Sequence, residues 1–346
     1  MSRALVISGG GSKGAFAVGV LKNLLNKFPA LDFDIIVGTS TGSLIAPLAA
    51  LGKIDLLEQL YKTQTAESIV LQKRLGDRLG DVSIFDANPL WKLVLNYFND
   101  QCYNDVLATG KKIYLTTTCL QSGQLSVFTT DPNPFQPENY EVTTLTNPDH
   151  FRKAVMASAC QPVFMQPIKV NKNAPGAANP NFQFVDGGVR EYAGIEMAID
   201  NGATEIFTVL LSPAGKDSDT KELSDLFSIL RRTIDIFTDD VGKNDLIIPK
   251  LYNDGLIYID AVKKKMELDG ISADKIKDYF NIRGLENPYE NKTALKMYII
   301  RPQEPLGGGP GGLTFDPVAM QEMINKGQTA ANDFIAGIPA GDITWA

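Results

Sequence analysis

Histidine is what this chain has least of: His150 stands alone in 346 residues. A serine or cysteine nucleophile paired with a histidine base would have to use that one imidazole or do without one. Cysteine is nearly as scarce. Cys102, Cys119 and Cys160 are odd in number, scattered and without C-x-x-C spacing, so no disulfide framework or zinc site is indicated and reduced core thiols are predicted. Positive charge is short as well, with 33 Lys and Arg against 40 Asp and Glu and a net charge of −7. That balance argues against a nucleic-acid partner and against strong attraction to anionic bilayers. There is no run of about eighteen apolar residues to suggest a membrane span. Met1-Ser2-Arg3 leads straight into the first predicted strand, leaving no room for a signal peptide. A cytoplasmic protein is expected, peripheral at membranes if it meets them. There is no internal repeat.

What is present is a pentad, Gly38-Thr39-Ser40-Thr41-Gly42, directly after the apolar run Phe33 to Val37 and before a helical stretch, Leu44 to Leu51. G-x-S-x-G between a strand and a small-residue helix is the sequence form of a nucleophile elbow, a tight turn that lifts a serine oxygen toward substrate. Gly38 and Gly42 supply the missing Cβ atoms such a turn needs. Turns in general are rich in Gly, Ser and Thr, so the pentad alone does not make Ser40 a nucleophile.

The N-terminus holds a second constellation. Ala4 to Ile7 reads as a buried strand and runs into Ser8-Gly9-Gly10-Gly11-Ser12-Lys13-Gly14, with a helix predicted over Ala15 to Phe28. Consecutive glycines between a strand and a helix let backbone N–H groups converge on an anion, phosphate or oxyanion. Gly9, Gly11 and Gly14 also satisfy G-x-G-x-x-G, which keeps open a nucleotide-dependent oxidoreductase with Asp32 or Asp34 as the ribose-binding acid. That acid should end the second strand, yet Asp32 and Asp34 flank its beginning and Ser40 stands past its end. A phosphate-binding P-loop is excluded because Ala15-Phe16 follows Gly14 where Lys-Ser/Thr would be required.

A third element is Asp186-Gly187-Gly188, reached from the strand-like Phe182 to Val185. Asp-Gly is first of all a turn pair, but here it closes an apolar strand, from which an aspartate can project toward the carboxyl edge of a parallel sheet. His150 fits a triad poorly. It precedes Asp186, and Asn147-Pro148-Asp149-His150 reads as a helix start before Phe151 to Ala159, predicting a solvated or capping imidazole. If Ser40 is catalytic, a carboxylate must activate it directly.

Strand and helix patterns alternate through the rest. Helices are predicted over Asp55 to Lys62, Leu90 to Phe98 and Ile195 to Asn201, and strands over Lys112 to Cys119, Leu125 to Thr130 and Glu205 to Leu211. Gln121 to Gln124 forms a hairpin turn. The rhythm is that of a three-layer α/β/α sandwich with a mainly parallel central sheet. A mostly helical insert or cap spans about 214–296, with Leu223 to Phe237 apolar at helical spacing and one basic run, Lys263-Lys264-Lys265. Leu306 to Gly312 reads as a flexible loop, and a last helix runs from Asp316 to Ile335.

Together the three motifs resemble the patatin-like phospholipases, or lipid acyl hydrolases, of bacterial type. Gly9-Gly10-Gly11-Ser12-Lys13-Gly14 is similar to their oxyanion loop, Gly38 to Gly42 to their serine elbow and Asp186-Gly187-Gly188 to their aspartate motif. Arg152 to Ala159 with Pro162, Ile300-Arg301-Pro302 and Phe315-Asp316-Pro317 also look like family segments. Ser8, where some members have aspartate, and Tyr192-Ala193-Gly194, where a proline-containing loop is common, depart from the pattern. The resemblance implies one catalytic domain over 1–346 and a Ser40–Asp186 dyad without histidine. Gly9, Gly10 and Gly11 would form the oxyanion hole, with Lys13, Gly14, Gly38, Gly42, Gly187 and Gly188 in support. It implies an acyl lipid as substrate and neither cofactor nor metal. A catalytically silent lipid-binding protein on the same fold remains a third reading.

Overall fold

The structure is a computed structural model and describes residues 2–72, 81–172, 182–215, 222–290, 292–309 and 312–338. Its strands are β1 (Arg3–Ile7), β2 (Ile35–Thr39), β3 (Leu71–Gln72), β4 (Phe85–Asp86), β5 (Lys112–Cys119), β6 (Leu125–Thr129), β7 (Glu141–Thr144), β8 (Ile168–Lys169), β9 (Gln183–Asp186), β10 (Glu205–Val209) and β11 (Lys296–Ile300). The central sheet runs β11-β10-β1-β2-β5-β6-β7, with β9 on β5 and β8 on β9; β3 and β4 form a separate pair. From β11 to β5 every pairing is parallel. The direction reverses at β5–β6, β5–β9 and β8–β9, making the sheet mixed but mainly parallel, with helices on both faces.

Successive strand residues point to opposite faces. Leu5 and Ile7 therefore enter the larger core layer beneath the helices Gly14–Lys27, Thr41–Ala50, Pro148–Ala159 and Pro317–Gly337. Ala4 and Val6 enter the other, under the helix Ile195–Asp200. Burial on both faces is why these strands read as unbroken apolar runs. The first and last described helices cross in close contact: a Cβ on Gly19 would fall on the Ile324 carbonyl and one on Gly327 on the Phe16 carbonyl.

Most predicted elements appear within a few residues of their expected bounds, the Gln121 to Gln124 hairpin among them. The helix Asp100–Ala108 and the edge strands β7 and β11 did not show in the sequence, nor did the short helix Ala66–Ile69 and the two-residue strands β3, β4 and β8. In the 214–296 insert, where 216–221 and 291 lie outside the described residues, the helix is far longer than the expected stretch. It runs over Leu226–Leu268, 43 residues with Pro249 inside, and the helix Ala273–Tyr279 follows. Pro249 and the glycines Gly242 and Gly255 read as breakers in isolation; packing overrides them. Leu306 to Gly312 is a loop as expected, though Pro310 and Gly311 lie outside the described residues. Its other residues press on the N-terminal glycine loop, Gly308 against Ser12 and Gly312 against the Gly10 carbonyl. The three cysteines are buried and free.

Candidate active site

The carboxyl ends of the central strands meet in one place because of the register on β5. β2 pairs with β5 only as far as Thr39 opposite Thr116. β6 occupies the other edge of β5 over this stretch, and β9 takes the edge β2 has vacated, with Asp186 opposite Thr117. Ser40, the residue after Thr39, and Asp186 therefore converge above adjacent residues of one strand. Their side chains face each other across the turn, close enough for the Ser40 hydroxyl to pull on the titration of the Asp186 carboxyl. Asp186 reaches the carboxyl edge of the parallel strands as expected, but on a strand that runs against them.

Ser40 sits at φ 56° and ψ −120° between β2 and the helix Thr41–Ala50. Positive φ is rare for a residue with a Cβ and marks a held, strained turn. Both flanking glycines are obligatory here, since a Cβ on Gly38 would fall on the Gly42 carbonyl and one on Gly42 on the Ile7 carbonyl. The helix Pro148–Ala159 fixes the turn from one side. Ser158 Oγ accepts the Ser40 amide at 3.0 Å, and Ser43 Oγ lies 2.6 Å from the Ser40 carbonyl and 3.1 Å from that of Val155.

Asp186 is 8% exposed. Burial pushes its carboxyl up to about 6, against the opposing pull of hydrogen bonds from Ser40 and from the Gly188 amide, which reaches Oδ1 at 2.7 Å. Its backbone is held at both ends, the amide donating to the Cys160 carbonyl (2.8 Å) and the carbonyl accepting from Thr118 Oγ1 (3.1 Å). Gly187 lies so close to Thr116 that no side chain fits between them. A carboxyl that titrates near neutrality and faces a hydroxyl can both take and return a proton.

Of the three amides expected in the glycine loop, Gly9 is otherwise engaged: its N–H donates to the Tyr192 carbonyl at 3.3 Å. Gly10 and Gly11, at φ 152° and 58°, have amides that donate to no acceptor among the described residues. Lys13 and Ser40 line the same cleft, while Gly14 packs against Thr41 and Tyr61. Asp34 accepts the Arg3 amide (2.9 Å) and Asp32 pairs with Lys111, both at the opposite end of β2 from this loop. The dinucleotide reading thus loses its ribose-binding acid.

His150 is not solvated, contrary to expectation. It is 4% exposed, with its ring edge-on to Phe128 at 5.5 Å, and burial holds its imidazole below the ordinary value. The helix cap is Asn147, whose side chain accepts the His150 amide at 2.9 Å.

Two residues outside the expected site hold it together. Tyr192 receives Gly9 on its carbonyl, and its hydroxyl faces Ser8 and Ser212. Asp245, on the long helix, accepts the amides of Tyr192 (2.6 Å) and Ala193 (3.1 Å) through Oδ2. Asp245 and nearby Glu191 are both raised, chiefly by burial. Tyr192 departs visibly from the family pattern, but nothing local marks Asp245.

Ser40 and Asp186 open onto a cleft of about 860 Å³. Its lining includes the apolar Leu44, Leu57, Leu60, Leu93, Val94 and Phe98, and, from the long helix and the chain after β11, Arg232, Lys243 and Arg301. The size and the mix of apolar lining and few polar groups are those of a small-molecule site.

The sequence profile of the patatin-like phospholipases matches residues 5–199. A cUMP-AMP-activated phospholipase of Escherichia coli is 34% identical over 109 residues, 30% of this chain and 31% of that protein. A cGAMP-activated phospholipase of Vibrio cholerae is 24% identical over 246 residues, 64% of this chain and 63% of its own. The matched regions thus span less than two thirds of either relative. Among solved structures, VipD from Legionella pneumophila aligns with a TM-score of 0.45 at 11% identity, over 97% of this chain and 67% of its own.

Proposed function

The chain belongs to the patatin-like phospholipase family, and from that premise we propose that it is a serine lipid acyl hydrolase working through a Ser40–Asp186 dyad. The observation that carries this reading is the convergence of Ser40 and Asp186 at adjacent positions of β5 on one cleft, with the buried carboxyl raised to about 6. Asp186 takes the hydroxyl proton as Ser40 Oγ bonds to the ester carbonyl carbon. The amides of Gly10 and Gly11 meet the oxyanion that forms. Collapse of the tetrahedral species expels the alcohol portion of the lipid, which leaves with the proton from Asp186. Asp186 then deprotonates water for attack on the acyl-serine, releasing the fatty acid and restoring Ser40. Losing a single oxyanion donor typically costs roughly 10²- to 10³-fold in rate.

The apolar lining of the cleft suits an acyl chain, and Lys13, Arg232 and Arg301 suit a phosphate-bearing head group. A fluorophosphonate probe is expected to label the protein at Ser40 and to miss Ser40→Ala. Asp186→Asn should abolish ester turnover, while His150→Leu, which keeps the buried site apolar, should retain it in folded protein. Turnover lost equally in all three would reject the dyad. A catalytically silent lipid binder would ignore the probe, and a dinucleotide-dependent oxidoreductase would instead be stabilised by NAD. We also infer, from the two relatives, that a cyclic dinucleotide raises turnover. Phospholipid hydrolysis measured with and without cGAMP and cUMP-AMP tests this, and an unchanged rate with both would refute it for those two effectors.

A further inference from the structure

The long helix Leu226–Leu268 turns two different faces outward from its sequence. At about 100° per residue, Leu226, Phe237, Ile248, Leu251 and Tyr258 fall within an arc of roughly 80°. Each is between 65% and 74% exposed. The stripe is about 48 Å long at 1.5 Å per residue, and an exposed apolar face of that extent marks an interaction surface. On one shoulder of the arc stand Ile236 and Ile247, which are half-exposed and also line the catalytic cleft. The outer stripe and the cleft wall are thus continuous across these two side chains.

That continuity identifies the occupant. A second copy of the chain packed along the stripe would cover the cleft mouth, and Asp240 and Asn244 interrupt the arc midway, where a helix–helix seam wants unbroken apolar positions. A fluid lipid surface tolerates such interruptions and leaves the cleft open toward its own acyl chains. Lys243 and Lys250 on the same helix are paired with Asp239 and Asp254, the basic run Lys263-Lys264-Lys265 lies beyond the end of the stripe at Tyr258, and the whole chain carries −7, so the stripe itself offers little to anionic head groups.

We propose that the outer face of the helix Leu226–Leu268 docks on zwitterionic lipid membrane and places the cleft mouth against it. The proposal rests on the acyl-hydrolase reading for its purpose, but its test does not require turnover. The full chain with Ser40→Ala, which cannot consume the lipid, is sedimented with phosphatidylcholine vesicles. It is compared with the same chain carrying Phe237→Glu and Leu251→Glu, neither of which lines the cleft. The charged pair is expected to bind vesicles at least tenfold more weakly, in line with the loss of two buried apolar anchors. In the Ser40 background, the same pair should hydrolyse a soluble short-chain ester at the unsubstituted rate, which also shows that it folds. If it does not fold, Phe237→Ser with Leu251→Ser takes its place. Equal vesicle binding by both forms, or binding by neither, overturns the proposal. So does a dimer of the unsubstituted chain that the charged pair dissociates. Failure of the hydrolase reading would look different, as absent ester turnover with vesicle binding intact.

Discussion

Ser40 is held at a φ that L residues resist, a conformation costing of the order of 1–3 kcal/mol for a residue with a side chain. Glycine has no such penalty. Ser40→Gly is therefore expected to lose all turnover while its Tm stays equal to or rises above that of the unsubstituted protein; thermal unfolding decides it, and a clear drop would mean that the elbow stores no strain. In the proposed dyad, Asp186 sets the pH response. Its carboxyl, raised by burial to about 6, must be ionised to accept the serine proton, so kcat/KM on a soluble ester should climb as pH rises through about 6 and then level off. Stability should move the other way. A raised carboxyl stabilises the fold fully below its unfolded value and loses that contribution as pH rises through the folded one. Asp186→Asn should flatten this part of the stability profile. Ser40 and Asp186 were legible because glycines at fixed offsets announce a tight turn. Ser158 could not be assigned a contact in the same way, since a serine in a helix says nothing of which amide its hydroxyl will meet. His150 was misjudged because a helix start predicts exposure only until another element, here Phe128, packs over it.

At the scale of elements, the alternation of apolar runs gave the strands and the parallel core, because burial on both faces leaves a plain signature. The register on β5 left none: that β2 stops at Thr116 and β9 resumes at Thr117 is decided by packing of segments distant in sequence. The long helix was underestimated for a related reason. Its Pro249 and glycines look like stops, whereas its inner face is anchored to the catalytic loop by Asp245. Asp245→Ala should leave the amides of Tyr192 and Ala193 without an acceptor, at about 1–3 kcal/mol each, partly offset by relief of Glu191. The expected outcome is a lower Tm with kcat on a soluble ester reduced more than KM is raised. Asp245→Asn, which keeps an acceptor oxygen, should restore most of both. Equal damage from the two variants would place the effect in the charge and not in the two hydrogen bonds.

For the whole molecule, composition excluded more than it identified. The excess of acidic over basic residues argues against a nucleic-acid partner, and among the described residues no helix is long and apolar enough to cross a membrane. The same charge balance makes a prediction about lipid contact. Binding to phosphatidylcholine vesicles should change little between low and physiological ionic strength and should not improve when anionic lipid is added, because screening removes only electrostatic attraction. A steep salt dependence, read by vesicle sedimentation, would contradict it. The placement of Asp186 on β9 has a bearing on how such a protein is made. The elbow precedes its proposed proton acceptor in the chain, and that acceptor arrives on a strand that must run back along β5 after the intervening segments have been made. A half-made chain therefore carries a serine with nothing to ionise it. If the proposed acyl hydrolase works through this dyad, activity would wait on the pairing of β9 with β5.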